Sequence, residues 1–333
     1  MRYLITGAAG FIGAHLAKRI SANGDEVLGI DNYSNYYDIS LKVERVKSLL
    51  INNRIELIEG DIRDSTLICK TIKNFKPDSV IHLAGQPGVR LPISALKDYV
   101  DGNLVGFSNV LSQVVQNEVP LFLYASSSSV YGNQAVSPFS EMEMNLKPVS
   151  FYGATKLSNE LLVPTLVKGS ATKARGLRFF TVYGPWGRPD MAYFRLIANA
   201  ISNVPFFKFG DGNAMRDFTY VEDTISIIYE LSKQLKKYDT GFTDVVNIGG
   251  GQPHTLNQMI IEISRLTGRK LVINEEDFDS KDVKFTCADP NYLTELINLK
   301  PEIKLEFGLK TTINWAQTIS VRDQLEKWIK SVV

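Results

Sequence analysis

The stretch TGAAGFIG, residues 6–13, leaves this chain few folds to choose from. It sets Gly7, Gly10 and Gly13 at three-residue intervals, follows the apolar run RYLIT, and opens the amphipathic run FIGAHLAKRISAN. A strand that turns sharply through glycines into a helix is the first half of a β-α-β unit. The rhythm continues through EVLGID, LKVERVKSLL, IELIEGD, SVIHLAG and LFLYASS. Short apolar runs alternating with longer amphipathic ones predict an α/β fold, a Rossmann-type doubly wound parallel sheet covered by helices on both faces. From about residue 185 the rhythm loosens: Pro185, Gly187 and Pro189 crowd together, and irregular stretches separate the strand-like FFKF and DVVNIG from the helix-like TLNQMIIEISRL. Residues 1–184 are therefore expected to form the Rossmann-type domain, with some later segments returning to it. Residues 185–333 are expected to form mainly a smaller, mixed α/β substrate domain.

Sheets of this kind hold ligands outside the carboxyl ends of their strands. Glycines there let the backbone approach a pyrophosphate, which the N–H groups opening the helix at Phe11 and Ile12 would meet. Eighteen residues after Gly13, Asp31 ends the second strand. Its carboxylate suits the adenosine ribose hydroxyls and repels a 2′-phosphate, so NAD is expected rather than NADP. Further along, LFLYASSSSVYG is an apolar strand ending in Ser126 to Ser129, whose hydroxyls fall where the ligand crevice opens. In YGATK, Tyr152 and Lys156 are one helical turn apart. A tyrosine must drop by roughly 3 pKa units, about 4 kcal/mol, to act as a base near neutrality. A lysine ammonium and an oxidised nicotinamide ring are two charges that favour this. Tyr229 and Lys233 repeat the spacing in DTISIIYELSKQLKKYD. With no serine-ended strand before them, they are expected to be an exposed pair on a helix.

Composition removes several other functions. The 37 basic and 36 acidic residues leave a net charge of +1, so no overall field draws nucleic acid or an anionic membrane. The two cysteines, Cys69 and Cys287, lack the paired spacing of zinc sites or secreted disulfide frameworks. The separations of His15, His82 and His254 match no metal-ligand motif, and structural roles are expected for the first two. A soluble, cytoplasmic protein without a metal is expected, since no apolar run reaches membrane length.

Glycine triplet, Asp31, serine-ended strand and the Tyr152–Lys156 pair together resemble the extended short-chain dehydrogenase/reductase family, in its nucleotide-sugar epimerase and dehydratase branch. Three stretches, IDNYSNYYDISLK, ASSSSVYG and LRFFTVYGPWGRPDMA, resemble the members acting on UDP-glucuronate. The resemblance implies a catalytic set of Ser127, Tyr152 and Lys156. It adds cofactor contacts at Asn32, Asp61, Ile62, Leu83, Ala84, Gln86 and Asn103. Tyr152, assisted by Ser127, would take the proton of the sugar 4-hydroxyl while carbon 4 gives hydride to NAD. The 4-keto sugar would then turn over and be reduced on its other face, with no net redox change. With glucuronate that intermediate is a β-keto acid prone to lose carbon dioxide, so its carboxylate must be restrained; Ser128, Ser129, Thr181 and Arg188 are the candidates. Arg216 is placed like the family arginine on the pyrophosphate, Asp289 like the acid near the uridine ribose, and Arg90 is a further substrate candidate. Gly85 and Pro87 depart from the family pattern, where alanines are usual. UDP-glucuronate and UDP-galacturonate are the expected pair, supplying surface polysaccharides, with UDP-glucose or UDP-N-acetylglucosamine as the alternative. Dehydratases and decarboxylases of this branch carry carboxylates in the serine run, where this chain has Ser128 and Ser129. The resemblance also implies a homodimer joined through helices following residues 93 and 150.

Overall fold

Alternate side chains of the first strand point into two different cores. In the computed structural model, which describes residues 1–89, 92–133, 137–277, 283 and 285–331, Tyr3 and Ile5 pack on one face and Leu4 on the other. The first half contributes β1 (Arg2–Thr6), β2 (Glu26–Asp31), β3 (Glu56–Glu59), β4 (Ser79–His82), β5 (Leu121–Ser127) and β6 (Lys173–Phe179). The second contributes β7 (Thr181–Tyr183), β8 (Phe206–Phe209), β9 (Met215–Tyr220), β10 (Thr243–Ile248), β11 (Pro253–Thr255) and β12 (Ile273–Glu276). Seven of these form one all-parallel sheet in the order β10-β6-β5-β4-β1-β2-β3. Every residue of β5 is buried, which is why LFLYASS reads as continuously apolar up to its serines.

Helices Phe11–Ala22 and Val221–Gln234 cover one face, joining Leu16, Ile20 and Ile228 to Leu123 and Leu177. The crossover from β4 to β5 and helix Phe151–Val167 cover the other, where Phe107, Val110 and Val163 meet Phe122 and Tyr124. That crossover runs as one rod through Leu96–Tyr99, a π-helical Val100–Gly106 and Phe107–Gln116. Side chains set several helix starts: Asp64 accepts from Thr66 and Leu67, and Ser150 accepts from Gly153, fixing Tyr152 in the first turn of its helix.

The second lobe is smaller. Its three-stranded sheet is mixed, with β9 parallel to β7 and antiparallel to β11, while β8 and β12 pair in parallel. The chain returns from this lobe to lay β10 along β6, with Val246 opposite Leu177.

Both structural histidines sit in the core. His15 bonds the Phe11 carbonyl at 2.9 Å and His82 bonds Thr6 at 2.7 Å; burial pushes their pKa values down to about 4 and about 3. The second tyrosine–lysine pair corrects the expectation of an exposed pair. Tyr229 is buried, donates to Asp25 at 2.6 Å, and has Lys233 Nζ 3.8 Å over its ring. Asp25 also holds the N-terminal ammonium. Burial and the Asp25 carboxylate push the Tyr229 phenol up to about 12, so the pair latches the chain start to helix Val221–Gln234.

Candidate active site

The sheet order reverses between β1 and β4, and the crevice at their carboxyl ends is where a doubly wound sheet takes its ligand. Gly7 has φ +75° and packs so tightly that a Cβ would come 2.7 Å from the Ala84 nitrogen; one on Gly13 would come 2.2 Å from the Gly7 carbonyl. No side chain caps the helix at Gly10, so its first N–H groups are left for an anion. Asp31 is buried at the end of β2 and accepts from Ala9 N–H at 3.0 Å and Tyr33 N–H at 2.8 Å. A carboxylate oxygen accepts two hydrogen bonds, so each retains capacity for a ribose hydroxyl. The cradle therefore fits a dinucleotide with two free ribose hydroxyls.

Asn32 donates to Asp61 at 2.9 Å, and Arg63 grips the same carboxylate at 2.9 and 2.8 Å. The Arg63 hydrogen bonds hold Asp61 at about 2, and Ile62 beside it is buried. Leu83 and Ala84 leave β4 along Thr6, whose carbonyl accepts from Leu83 at 3.0 Å. Asn103, in the π-helical segment, accepts from Gln86 N–H at 2.8 Å and donates to the Gln86 carbonyl and Thr155 hydroxyl at 3.1 Å each. Both amide donors thus already have protein partners, and Asn103 pins the loop after β4. Gly85 has no room for a side chain, since a Cβ would lie 2.7 Å from Asn103 Oδ1 and 3.5 Å from Lys156 Nζ.

The Tyr152 phenol lies beside the Ser127 hydroxyl, and Lys156 Nζ lies 5.8 Å from the centre of the Tyr152 ring. Burial raises the Tyr152 pKa, against which the Arg188 charge and the Ser127 hydrogen bond pull it down. Burial also lowers Lys156 to about 8. Ser127 donates to the Ser129 hydroxyl and accepts from Ser129 N–H, both at 3.1 Å, in the tight turn Ser128–Val130. Phe179 of β6 lies opposite Ser127, so Thr181, two residues on, starts β7 just beyond the serines. Arg188 is paired to Asp190 through two bonds of 3.0 and 2.8 Å, and Tyr36 donates to the same carboxylate at 3.3 Å.

Below this cluster, Glu160 and Arg178 form a buried two-bonded pair at 2.9 and 2.8 Å. Ser126 donates to Glu160, and Arg178 reaches Tyr131, which donates to Asn247 of β10. Helix Phe151–Val167, which carries Tyr152 and Lys156, is so locked to β5, β6 and β10.

Arg216 lies on β9 opposite His254 of β11, and one of its nitrogens donates to the Met215 carbonyl. The next residue, Asp217, is buried and accepts from Gly250, Gly251 and Ala288 at 2.8 to 3.1 Å. It thereby draws the segment bearing Asp289 beside β9, and Asp289 N–H donates to Phe139. Arg90 lies outside the described residues. Among the described residues no three His, Cys, Asp or Glu side chains are grouped to hold a metal ion, and no helix is long and apolar enough to cross a membrane.

A glycine cradle at the sheet's switch point, beside a tyrosine and lysine on one helix and a hydroxyl on the facing strand, defines a dinucleotide-dependent enzyme that moves a proton and a hydride at a hydroxyl-bearing carbon. Residues 3–249 match the NAD dependent epimerase/dehydratase family, and the chain belongs to that family. It is 37% identical to a UDP-glucuronate 4-epimerase of Thermodesulfobacterium geofontis, covering 95% of this chain and 96% of that one. A probable UDP-glucuronate 4-epimerase of Rhizobium meliloti is 36% identical, with 95% and 96% covered. Among solved structures, UDP-glucuronic acid 4-epimerase of Bacillus cereus with UDP-glucuronic acid and NAD superposes with a TM-score of 0.85 at 34% identity, over 95% of this chain and 98% of that one.

Proposed function

We propose that this protein is an NAD-dependent 4-epimerase of a UDP-sugar and that its substrate pair is UDP-glucuronate and UDP-galacturonate. The Ser127 hydroxyl beside the Tyr152 phenol, with Lys156 on the same helix 5.8 Å from the Tyr152 ring centre, carries this reading. The fit of the cradle and the NAD-bound relatives support the cofactor. NAD, when bound, accepts the hydrogen of carbon 4 as hydride and returns it to the opposite face of the sugar.

The protein's own part is proton transfer and restraint. Tyr152 takes the 4-hydroxyl proton and later returns one, with Ser127 bridging phenol and sugar oxygen. Lys156 and Arg188 supply positive charge that favours the phenolate. Ser128, Ser129, Thr181 and Arg188 hold the sugar carboxylate, while Arg216 and Asp289 take the pyrophosphate and the uridine ribose. Hydroxyls at Ser128 and Ser129 cannot serve as the acid and base of a dehydration, which favours epimerisation. A homodimer belongs to this reading: Val100 and Val105 on the crossover, and Phe151, Leu161 and Leu166 on the next helix, are exposed apolar side chains. A cytoplasmic location belongs to it as well.

The deciding experiment incubates purified protein with UDP-glucuronate, without added reductant, and follows anomeric proton resonances. UDP-galacturonate without carbon dioxide is the expected product. Unchanged UDP-glucuronate, with epimerisation of UDP-glucose or UDP-N-acetylglucosamine instead, would overturn the substrate assignment and leave the chemistry standing.

A further inference from the structure

Arg45 is a fully buried cation on helix Ile39–Leu49, and among the described residues it has no carboxylate partner. Its nitrogens donate instead to the Ala9 carbonyl at 2.7 Å, the Tyr37 hydroxyl at 3.0 Å, the Trp186 carbonyl at 2.8 Å and the Gly187 carbonyl at 3.3 Å. Ala9 belongs to the glycine loop of the cofactor cradle. Trp186 and Gly187 immediately precede Arg188. A single guanidinium therefore ties the glycine loop of the cofactor cradle to the loop that leads into Arg188.

The second loop needs such a restraint. Trp186 has φ +61°, a left-handed backbone that bulky side chains avoid and that persists only when its surroundings impose it. Its ring packs against Trp315 at 5.1 Å between centres, and Arg45 fixes its carbonyl. Just beyond, Asp190 and Tyr36 orient the Arg188 side chain.

We propose that Arg45 is a positioning residue for carboxylate restraint: by tying the glycine loop to the two peptide units before Arg188, it keeps the carboxylate of the 4-keto intermediate out of line with the ring carbonyl. The inference rests on the UDP-glucuronate reading. In the failure that Arg45 prevents, the bond from carbon 5 to the carboxyl carbon breaks and carbon dioxide leaves. The electron pair becomes the enolate of the 4-keto group, and solvent protonates carbon 5 to give a UDP-4-keto-pentose. One equivalent of reduced dinucleotide, formed when carbon 4 was oxidised, then remains for each carbon dioxide released.

The test is Arg45→Lys in the NAD-loaded enzyme with UDP-glucuronate. An ammonium keeps the charge but lacks the fork that reaches both loops. Carbon dioxide released per UDP-galacturonate formed should rise about tenfold, a modest change in the balance of two barriers. Absorbance of the reduced dinucleotide should accumulate in step. One readout needs no turnover: amide hydrogen exchange across residues 184–191 should accelerate about tenfold. An unchanged product ratio, or unchanged exchange in that loop, overturns the proposal. If Arg45→Lys does not fold, Tyr37→Phe, which removes one acceptor of the same guanidinium, decides: about a threefold rise in the ratio supports the proposal and none overturns it. Wild-type enzyme that leaves UDP-glucuronate untouched overturns the substrate reading and this inference together, whereas normal epimerisation with an unchanged variant ratio overturns the inference alone.

Discussion

Burial by itself would make the Tyr152 phenol a weaker acid and delay its ionisation, so the neighbouring positive charges decide whether it can act as a base. Tyr152→Phe should leave NAD bound and lower kcat about a thousandfold, the usual scale for a lost acid–base group, in an NMR assay of epimer formation. Lys156 titrates near 8 because burial disfavours its charge. As pH rises through that value the ammonium is lost, so log kcat should fall above pH about 8 with loss of one proton. Lys156→Met should lower the plateau and abolish that limb. The serine run 126–129 and the one-turn spacing of Tyr152 and Lys156 are local patterns that a sequence displays, while the choice of Ser127 within the run rested on the family resemblance. Arg45, Tyr36, Asp190 and Asp217 were not singled out. The partners of Arg45 include backbone carbonyls 141 and 142 residues away, and nothing in VERVKSLL marks one arginine as buried.

At the scale of elements, β1, β2 and β5 could be read residue by residue, since each apolar run ends on a polar residue at the carboxyl edge of the sheet. The π-helical turn Val100–Gly106 could not, because it arises where Asn103 must reach both polar groups of the Gln86 backbone. The exposed helix pair expected at Tyr229 and Lys233 was wrong because Asp25, which buries the phenol, lies 204 residues away. Element packing also carries pH dependence. His15 and His82 stay neutral inside the fold at about 4 and about 3, while an unfolded histidine binds its proton near 6.5. Their folded values are depressed, so the unfolded state binds more protons below pH 6.5 and stability falls with acid. At pH 5 each should remove about 2 kcal/mol, and His15→Gln should take its own share out of the pH dependence of urea midpoints. The Glu160–Arg178 pair joins helix Phe151–Val167 to β6. Arg178→Met strands a buried carboxylate and should cost about 3–5 kcal/mol in the same denaturation experiment.

Across the whole molecule, exposed Leu161 and Leu166 on the helix that carries Tyr152 mark the surface where a second copy would dock. Leu161→Glu should convert a dimer to a monomer in light scattering, and a wild-type monomer at micromolar concentration would remove the dimer from the proposed function. A smaller mixed second lobe was expected from the loosening of the rhythm, while the partner strand of DVVNIG was not, since a buried apolar run carries no address. That strand, β10, has a bearing on how the protein is made. It is the edge of the central sheet, yet 63 residues of chain lie between Phe179, the last residue of β6, and Thr243, its own first residue. A nascent chain can pair six of the seven strands early, but the outer rim of β6 stays bare until the inserted lobe has been synthesised. At roughly 5–20 residues per second that interval is several seconds. During it the unfinished sheet offers the bare rim of β6, a strand that the finished sheet keeps in its interior, to any other chain.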